Sequence, residues 1–184
     1  TSAVLNVTWK MPASLLVATG SVWKYLDTGA NLGAAWRAPG FDDRSWTNGR
    51  AQLGYGDSDE AAVVGYGPDK ANKYPTTYFR RAFAVTNAAE FRSLKVRLLR
   101  DDGGVVYLNG AEVFRSNMTN AAVDYRTLAL AVASDDGAVF YAANVDPALL
   151  VEGTNVLAVE IHQAEPDSSD LSFDLELSGL RGIA

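Results

Sequence analysis

The amino-acid sequence predicts an all-β protein, a two-sheet antiparallel β-sandwich of about nine or ten strands with long irregular loops. Asn109-Gly110 lies between two apolar runs, and this dipeptide is the strongest short-range signal for a β-hairpin because both central residues of a type I′ turn need positive φ. Segments such as residues 77–85 alternate apolar and polar side chains with the period of two that strands require. Few segments indicate helices, so two packed sheets are favoured over a parallel α/β sheet.

Glycine residues recur throughout the first half of the chain. Residues 27–56 carry many Gly, Pro and Asn residues and little regular pattern, and long irregular segments in a compact domain are usually functional or specially packed. The elements expected here are a lead-in strand or linker over residues 1–14, strands over 15–19 and 21–26, a helical turn over 41–46 capped by Asp42 or Asp43, and a brief strand over 62–66.

The second half is more regular. In residues 77–85, Arg81 shares a face with Phe79 and Phe83 and is expected to need an acid or carbonyl partner. A helical turn is expected over residues 146–150, with Asp146 as N-cap and Pro147 at its first position. The strands expected in this half are residues 77–85, 91–100, 105–108, 112–115, 128–133, 139–143, 156–162 and 171–177.

Composition limits the function classes. The 184 residues fit one domain, residues 1–184, and 48% hydrophobic residues suffice for a core. Sixteen basic and 22 acidic residues give a net charge of −6, which argues against nucleic acid or an anionic membrane surface as partner. Cysteine is absent, which excludes disulfides and thiolate chemistry, and no apolar run is long enough for a membrane span.

Two acidic clusters are candidate metal ligands because closely spaced carboxylates suit Ca²⁺. One is the turn with Asp101 and Asp102, and the other contains Asp57 and Asp59. The alternative is structural, with the Asp side chains accepting hydrogen bonds from turn N–H groups. The single histidine, His162, ends an apolar strand and is interpreted as a hydrogen-bonded structural residue. No catalytic residue set is identified, so the protein is expected not to be an enzyme.

Aromatic residues in the irregular segments indicate a ligand platform. A ring presented from a loop beside Asp or Asn can stack on the apolar face of a sugar while polar neighbours bind its hydroxyls. The alternative is that these rings fill the open ends of the sandwich as a satellite core. The candidate ligand-binding residues are Trp36, Tyr55, Trp46 and Tyr74.

The sequence resembles the galactose-binding-domain-like jelly rolls, which are accessory modules of secreted bacterial proteins. The resemblance covers about residues 15–178. It is carried by residues 41–46, 54–57, 77–83, 100–115 with Asn117-Met118, 155–162 and 169–176.

The resemblance implies a non-catalytic carbohydrate-binding accessory module of a larger secreted or cell-surface bacterial protein that degrades glycans. Its expected partners are a poly- or oligosaccharide and the neighbouring domains of the parent chain, and it implies one structural Ca²⁺. The alternative is a structural spacer or protein-interaction module without sugar binding. A stand-alone glycoside hydrolase is the least favoured interpretation.

Overall fold

The structure, a computed structural model, describes residues 13–182. The expected lead-in segment, residues 1–14, lies outside the described residues except for its last two positions. Short 3₁₀ helices occur at Ala35–Arg37, Ala88–Glu90 and Pro147–Leu149. The strands of the described residues are β1 (Ala13–Val17), β2 (Val22–Leu26), β3 (Thr47–Arg50), β4 (Leu53–Tyr55), β5 (Ala62–Val63), β6 (Thr76–Val85), β7 (Phe91–Asp101), β8 (Gly103–Leu108), β9 (Ala111–Ser116), β10 (Phe140–Val145), β11 (Gly153–His162) and β12 (Leu171–Arg181).

The strands form two sheets, which confirms the predicted β-sandwich. The sheet named here the front sheet has the order β3-β2-β6-β11-β8-β9, and the back sheet has the order β10-β7-β12-β4-β5. In the back sheet β1 also pairs with β12, along the half of that strand that β4 leaves free. The pairings are antiparallel except for the short β4–β5 contact, which is parallel.

The predicted Asn-Gly hairpin connects β8 to β9. Asn109 and Gly110 have φ of 52° and 90°, as a reversal of this kind requires. The Asn109 side chain also bonds across the sheet, donating to the Leu149 carbonyl and accepting from the Val156 N–H at 2.9 Å. The hairpin is therefore tied to β11 and to the turn before it.

The main core fills the space between the two sheets and is apolar. Phe79 of β6 stacks on Phe173 of β12 with ring centroids 4.0 Å apart, and Trp23 meets Phe173 edge-on at 5.0 Å. Alternate residues of β8 and β11 complete this layer. The alternation of side chains along these strands thus directs the apolar ones into the core.

A second cluster, the outer layer, covers the opposite face of the front sheet. Loops on either side of the central strands fold over this face. Its buried members are Trp36, Trp46, Tyr78, Val105, Tyr107, Met118, Ala129 and Ala158. The front sheet is therefore buried on both faces, as continuous apolar strands such as β11 require.

The outer layer places the neighbouring residues Arg80 and Arg81 in different surroundings. Arg81 donates to the Val22 carbonyl, the kind of partner that its position predicts. Arg80, on the opposite face of β6, is 1% exposed. Its guanidinium donates to the carbonyls of Trp36 and Ala38 and to the Asp43 carboxylate at 2.8 Å, which anchors the covering loop.

The predicted strands at residues 62–66 and 128–133 and the predicted helical turn at 41–46 differ from the structure, and the first of these is a strand only at Ala62–Val63. Residues 128–133 form no strand, because the Ala129 and Leu130 N–H groups bond to the Gln163 and Asn117 carbonyls instead of a neighbouring strand. Residues 41–46 form a turn in which Asp42 accepts from the Arg44 N–H, and the helical turn lies earlier, at Ala35–Arg37. The 3₁₀ helix at Pro147–Leu149 is capped by Asp146 as predicted.

No helix among residues 13–182 is long and apolar enough to cross a membrane.

Candidate functional site

Trp36 and Trp46 belong to the outer layer and do not present their rings to solvent. Trp36 is fully buried, and Trp46 is 5% exposed. Both rings pack against Tyr78, with centroid distances of 4.7 and 6.5 Å. A ring enclosed in this way cannot stack on a sugar, so the platform predicted from these two residues does not exist in this conformation. They cover the front sheet instead.

Tyr55 is also buried. Its hydroxyl accepts a hydrogen bond from Gln163 Nε2 at 2.6 Å, and its ring lies 5.1 Å from that of Tyr66. The Lys73 ammonium lies 5.2 Å from the centroids of both rings. Burial, and then the nearby Asp170 carboxylate, raise the pKa of Tyr55. Tyr55 therefore joins loops together rather than forming an open platform.

Tyr74, by contrast, lines a surface cavity of about 410 Å³, named here the Tyr74 cavity. The side chain is half-buried and seated on Gly29 and Gly67, where an added Cβ would lie 2.4 and 3.0 Å from ring atoms. Tyr125 also lines this cavity. Lys73 and Arg126 also line the cavity, and no Asp or Glu does. The loops thus build an aromatic cavity with a basic lining.

An adjoining cavity of about 320 Å³, the Tyr78 cavity, shares Tyr125 with the first. Its lining includes Arg37, Tyr78 and Glu160, which β6, β11 and the first 3₁₀ helix supply. Glu160 is 1% exposed, yet one of its oxygens accepts from the Tyr107 hydroxyl at 2.6 Å and from Arg37 at 3.2 Å. A buried carboxylate is tolerable only with such partners.

His162 lies behind Glu160. Its Nδ1 is 2.7 Å from the Thr127 carbonyl oxygen, and because a carbonyl only accepts, Nδ1 must donate. The ring is fully buried, which confirms a hydrogen-bonded structural histidine. Nε2 lies 3.5 Å from Glu160 Oε2 and has no hydrogen-bond partner among the described residues.

A separate acidic cluster lies where three loops meet. Carboxylate oxygens of Asp57, Asp136 and Asp170 lie within 4.8 Å of one another, and a second group joins Asp57 to Asp59 and Glu60. Burial, and then repulsion by Asp170, Asp136 and Asp59, raise the pKa of Asp57, although a hydrogen bond from Ser172 opposes the shift. Asp57 and Asp59 are thus placed with other carboxylates, and Asp136 and Asp170 are additions that sequence spacing did not reveal.

Asp101 and Asp102 are buried and have different surroundings. Asp102 accepts hydrogen bonds from the N–H groups of Ala133 and Ala164, both at 2.7 Å, and from the Ser168 hydroxyl at 3.0 Å. Burial, then its contact with Asp102, raise the pKa of Asp101 to about 8. Asp102 therefore fits the structural interpretation, in which the carboxylate accepts hydrogen bonds from loop N–H groups and holds the loops together.

The site residues missed by sequence reasoning lie mainly on strands. Tyr78 and Glu160 belong to β6 and β11, whereas aromatic and acidic candidates were sought in the glycine-rich loops. The alternation of β6 does direct Tyr78 to the outer face, which was the available signal. Tyr125 lies in a loop without any distinguishing local pattern.

No known protein-family model matches the sequence, and no curated protein matches it either. Its solved structural neighbours include a Bacteroides uniformis beta-glucuronidase with 18% identity and a TM-score of 0.58, covering 92% of this chain and 18% of that chain. A Bifidobacterium dentium beta-glucuronidase has 14% identity and a TM-score of 0.57, with 98% and 32% covered. An uncultured Clostridium sp. beta-glucuronidase has 14% identity and a TM-score of 0.55, covering 98% of this chain and 31% of that chain.

These neighbours are similar in fold. The chain corresponds to less than a third of the length of each, so the similarity concerns one β-sandwich portion of a much larger enzyme. Sequence identity this low supports the sandwich assignment and nothing finer.

Proposed function

We propose that the protein is a non-catalytic carbohydrate-binding accessory module of a larger secreted or cell-surface bacterial protein that degrades glycans. The observation that carries the proposal is the Tyr74 cavity, whose lining combines two tyrosine side chains with polar and basic groups. Tyrosine rings stack on the C–H face of a sugar, and a few polar groups then orient its hydroxyls.

The charge of the Tyr74 cavity favours an acidic sugar. Arg126 lines it and is exposed, and no carboxylate lines it, so Arg126 would attract a uronate; the buried Lys73 ammonium already donates to the Ser168 carbonyl. Two of the structural neighbours were captured with D-glucuronic acid or with a coumarin glucuronide. A glucuronic acid unit is therefore the first ligand to test.

The non-catalytic assignment has its own support. The enzymes of similar fold are at least three times longer than this chain, so most of their structure has no counterpart in it.

A glycan array of neutral and uronic acid-containing glycans, followed by affinity electrophoresis, tests the proposal. Tyr74→Ala should weaken binding by about 1–3 kcal/mol, the value of an aromatic stacking surface. Phe140→Ala is the matched control, because it removes a partly buried ring from the back sheet. Failure of the wild-type protein to bind any glycan, with Ca²⁺ present, would contradict the proposal.

One structural Ca²⁺ is a second part of the proposal. The donor set of Asp57, Asp136 and Asp170 fits this ion, because three carboxylates converge from separate loops and hard oxygen ligands are what Ca²⁺ prefers. Asp102 does not fit as a direct ligand, since both of its oxygens already accept short hydrogen bonds. Bound Ca²⁺ would join the loops and neutralise mutually repelling acids.

Melting temperature measured in Ca²⁺ and in EDTA tests the metal. A ligand that binds only the native state adds about 2.7 kcal/mol at one hundred times its Kd. Asp136→Asn should abolish the rise, and Asp167→Asn, an exposed acid outside the cluster, should preserve it. An unchanged melting temperature in EDTA would remove the metal from the account.

A structural spacer module is the alternative function. It is favoured by the segment of residues 128–139, where Leu130 and Val132 are 66% and 60% exposed. Exposed apolar side chains of this kind can pack against a neighbouring domain of the parent chain. A higher melting temperature of the module when fused to its natural neighbours, together with no glycan binding, would favour this function.

A further inference from the structure

We propose that the Tyr78 cavity is a second sugar subsite, so that the protein binds at least two linked sugar units side by side. The inference rests on the proposed carbohydrate binding and adds the length of glycan that is recognised. Its basis is a set of polar atoms that line or adjoin the cavity and have no hydrogen-bond partner within residues 13–182; of these, Arg37 Nε and His162 Nε2 are buried.

The Tyr78 hydroxyl is the first of these groups. The residue is 2% exposed and lines the cavity, but its hydroxyl makes no hydrogen bond to any described residue. Tyrosine hydroxyls that are buried usually find a partner. Burial, and then the Glu160 carboxylate, raise the pKa of Tyr78, so the hydroxyl remains a neutral donor. It is available to a ligand oxygen.

Arg37 and Glu160 supply complementary groups. Arg37 Nε is buried and unpartnered among the described residues, although the guanidinium is held 4.3 Å from the Tyr107 ring centroid. Glu160 uses one oxygen for Arg37 and Tyr107, and its other oxygen faces only His162 Nε2 at 3.5 Å. The cavity therefore combines one donor, the Tyr78 hydroxyl, with one acceptor, Glu160 Oε2, that makes no hydrogen bond to the described residues.

Sugar hydroxyls match this mixture because each can donate one hydrogen bond and accept others. A hydroxyl pair could accept from Tyr78 and donate toward Glu160, which a purely anionic or purely cationic ligand could not do. Polar groups that line a cavity form their hydrogen bonds with whatever occupies it, water or a ligand. Their position in a cavity therefore points to a polyhydroxylated ligand.

The position of Tyr125 links the two subsites. It lines both cavities, so a ligand lying across this side chain reaches the basic Tyr74 cavity on one side and the mixed Tyr78 cavity on the other. The first cavity suits an acidic unit and the second a neutral, hydroxyl-rich unit. An alternating glycan of acidic and neutral sugars has this chemistry.

The test is calorimetric binding of hyaluronan-derived oligosaccharides, from free glucuronic acid up to a hexasaccharide, to the 184-residue chain. A neutral cello-oligosaccharide series is measured in parallel. Wild-type affinity should rise from the monosaccharide to the longer hyaluronan oligosaccharides. Tyr78→Phe should weaken oligosaccharide binding about fivefold, the effect of one lost hydrogen bond, and leave monosaccharide affinity and melting temperature unchanged.

Tyr141→Phe is the matched control because it removes a hydroxyl that bonds to Asp135 on the back sheet at 3.0 Å. It should leave every affinity unchanged. Equal affinity of the wild type for short and long oligosaccharides, or an unaffected Tyr78→Phe protein, would overturn the second subsite while the proposed function stands. Absence of wild-type binding to both series would overturn the two together.

Discussion

The core between the sheets and the outer layer of the front sheet are built from different chemistry. The core is apolar, and its rings contact one another directly, as Phe79 and Phe173 do. The outer layer combines aromatic rings with the buried charges of Arg80 and Glu160 and is bordered by two cavities.

This difference indicates which region of the molecule is suited to bind a ligand. Apolar packing needs no partner beyond its neighbours, whereas an unpaired buried polar atom lowers stability. Among the described residues, unpartnered buried polar atoms occur in both regions, with Trp23 Nε1 in the core and Arg37 Nε and His162 Nε2 beside the outer layer, where Arg37 also lines the Tyr78 cavity. A protein retains such atoms most readily where a ligand completes their hydrogen bonds.

The largest expected effect comes from the core. Phe173→Ala should lower the free energy of unfolding by about 3–5 kcal/mol, because it removes a fully buried ring that contacts Phe79 and Trp23. Urea denaturation measures the change. Phe140→Ala, at a partly buried position of the back sheet, should cost much less. Equal losses for the two variants would contradict the assignment of the core.

A substitution at Arg80 tests how the outer layer is held on the front sheet. Arg80→Met should cost about 3 kcal/mol because two loop carbonyls and Asp43 lose their buried donor. Arg81→Met is the comparison, since Arg81 is less buried and bonds one carbonyl, and it should cost about 1 kcal/mol. Urea denaturation measures the free energy of unfolding of both variants. A larger loss of stability for Arg81→Met than for Arg80→Met would show that Arg80 does not anchor the covering loop.

A pH profile in EDTA examines the buried acids. The folded pKa of Asp101, about 8, lies above the unfolded value of about 4, so folding favours the neutral form. The stability that the neutral Asp101 carboxyl contributes is therefore fully present below about pH 4 and is lost as the pH rises through 8. Asp101→Asn should remove this fall and be more stable than the wild type at pH 8 by about 2 kcal/mol. Parallel pH profiles for the two proteins would contradict the raised pKa.

Much of the fold was predictable because its determinants are local. Alternation in residues 77–85 and the Asn109-Gly110 turn depend on residues adjacent in sequence, and both predictions were confirmed. Residues 128–133 show the limit of this reasoning. Their apolar alternation fits a strand, but no neighbouring strand accepts their hydrogen bonds.

The site was less predictable because it depends on where loops fold. Trp36 and Tyr74 lie in similar glycine-rich segments, yet one is enclosed by the outer layer and the other lines a cavity. No local pattern distinguishes them. Likewise, Asp136 and Asp170 join Asp57 only through the tertiary fold, although Asp57 itself could be chosen from its acidic neighbours.

The most direct test of the central claim is an NMR titration of the ¹⁵N-labelled protein with the hyaluronan hexasaccharide. Carbohydrate binding at the outer layer predicts amide shift changes at Tyr74, Tyr125 and Arg126, around the two cavities. Changes confined to the back sheet, such as around the cavity beside Leu94 and Gly179, would contradict it. So would the absence of any change at millimolar oligosaccharide.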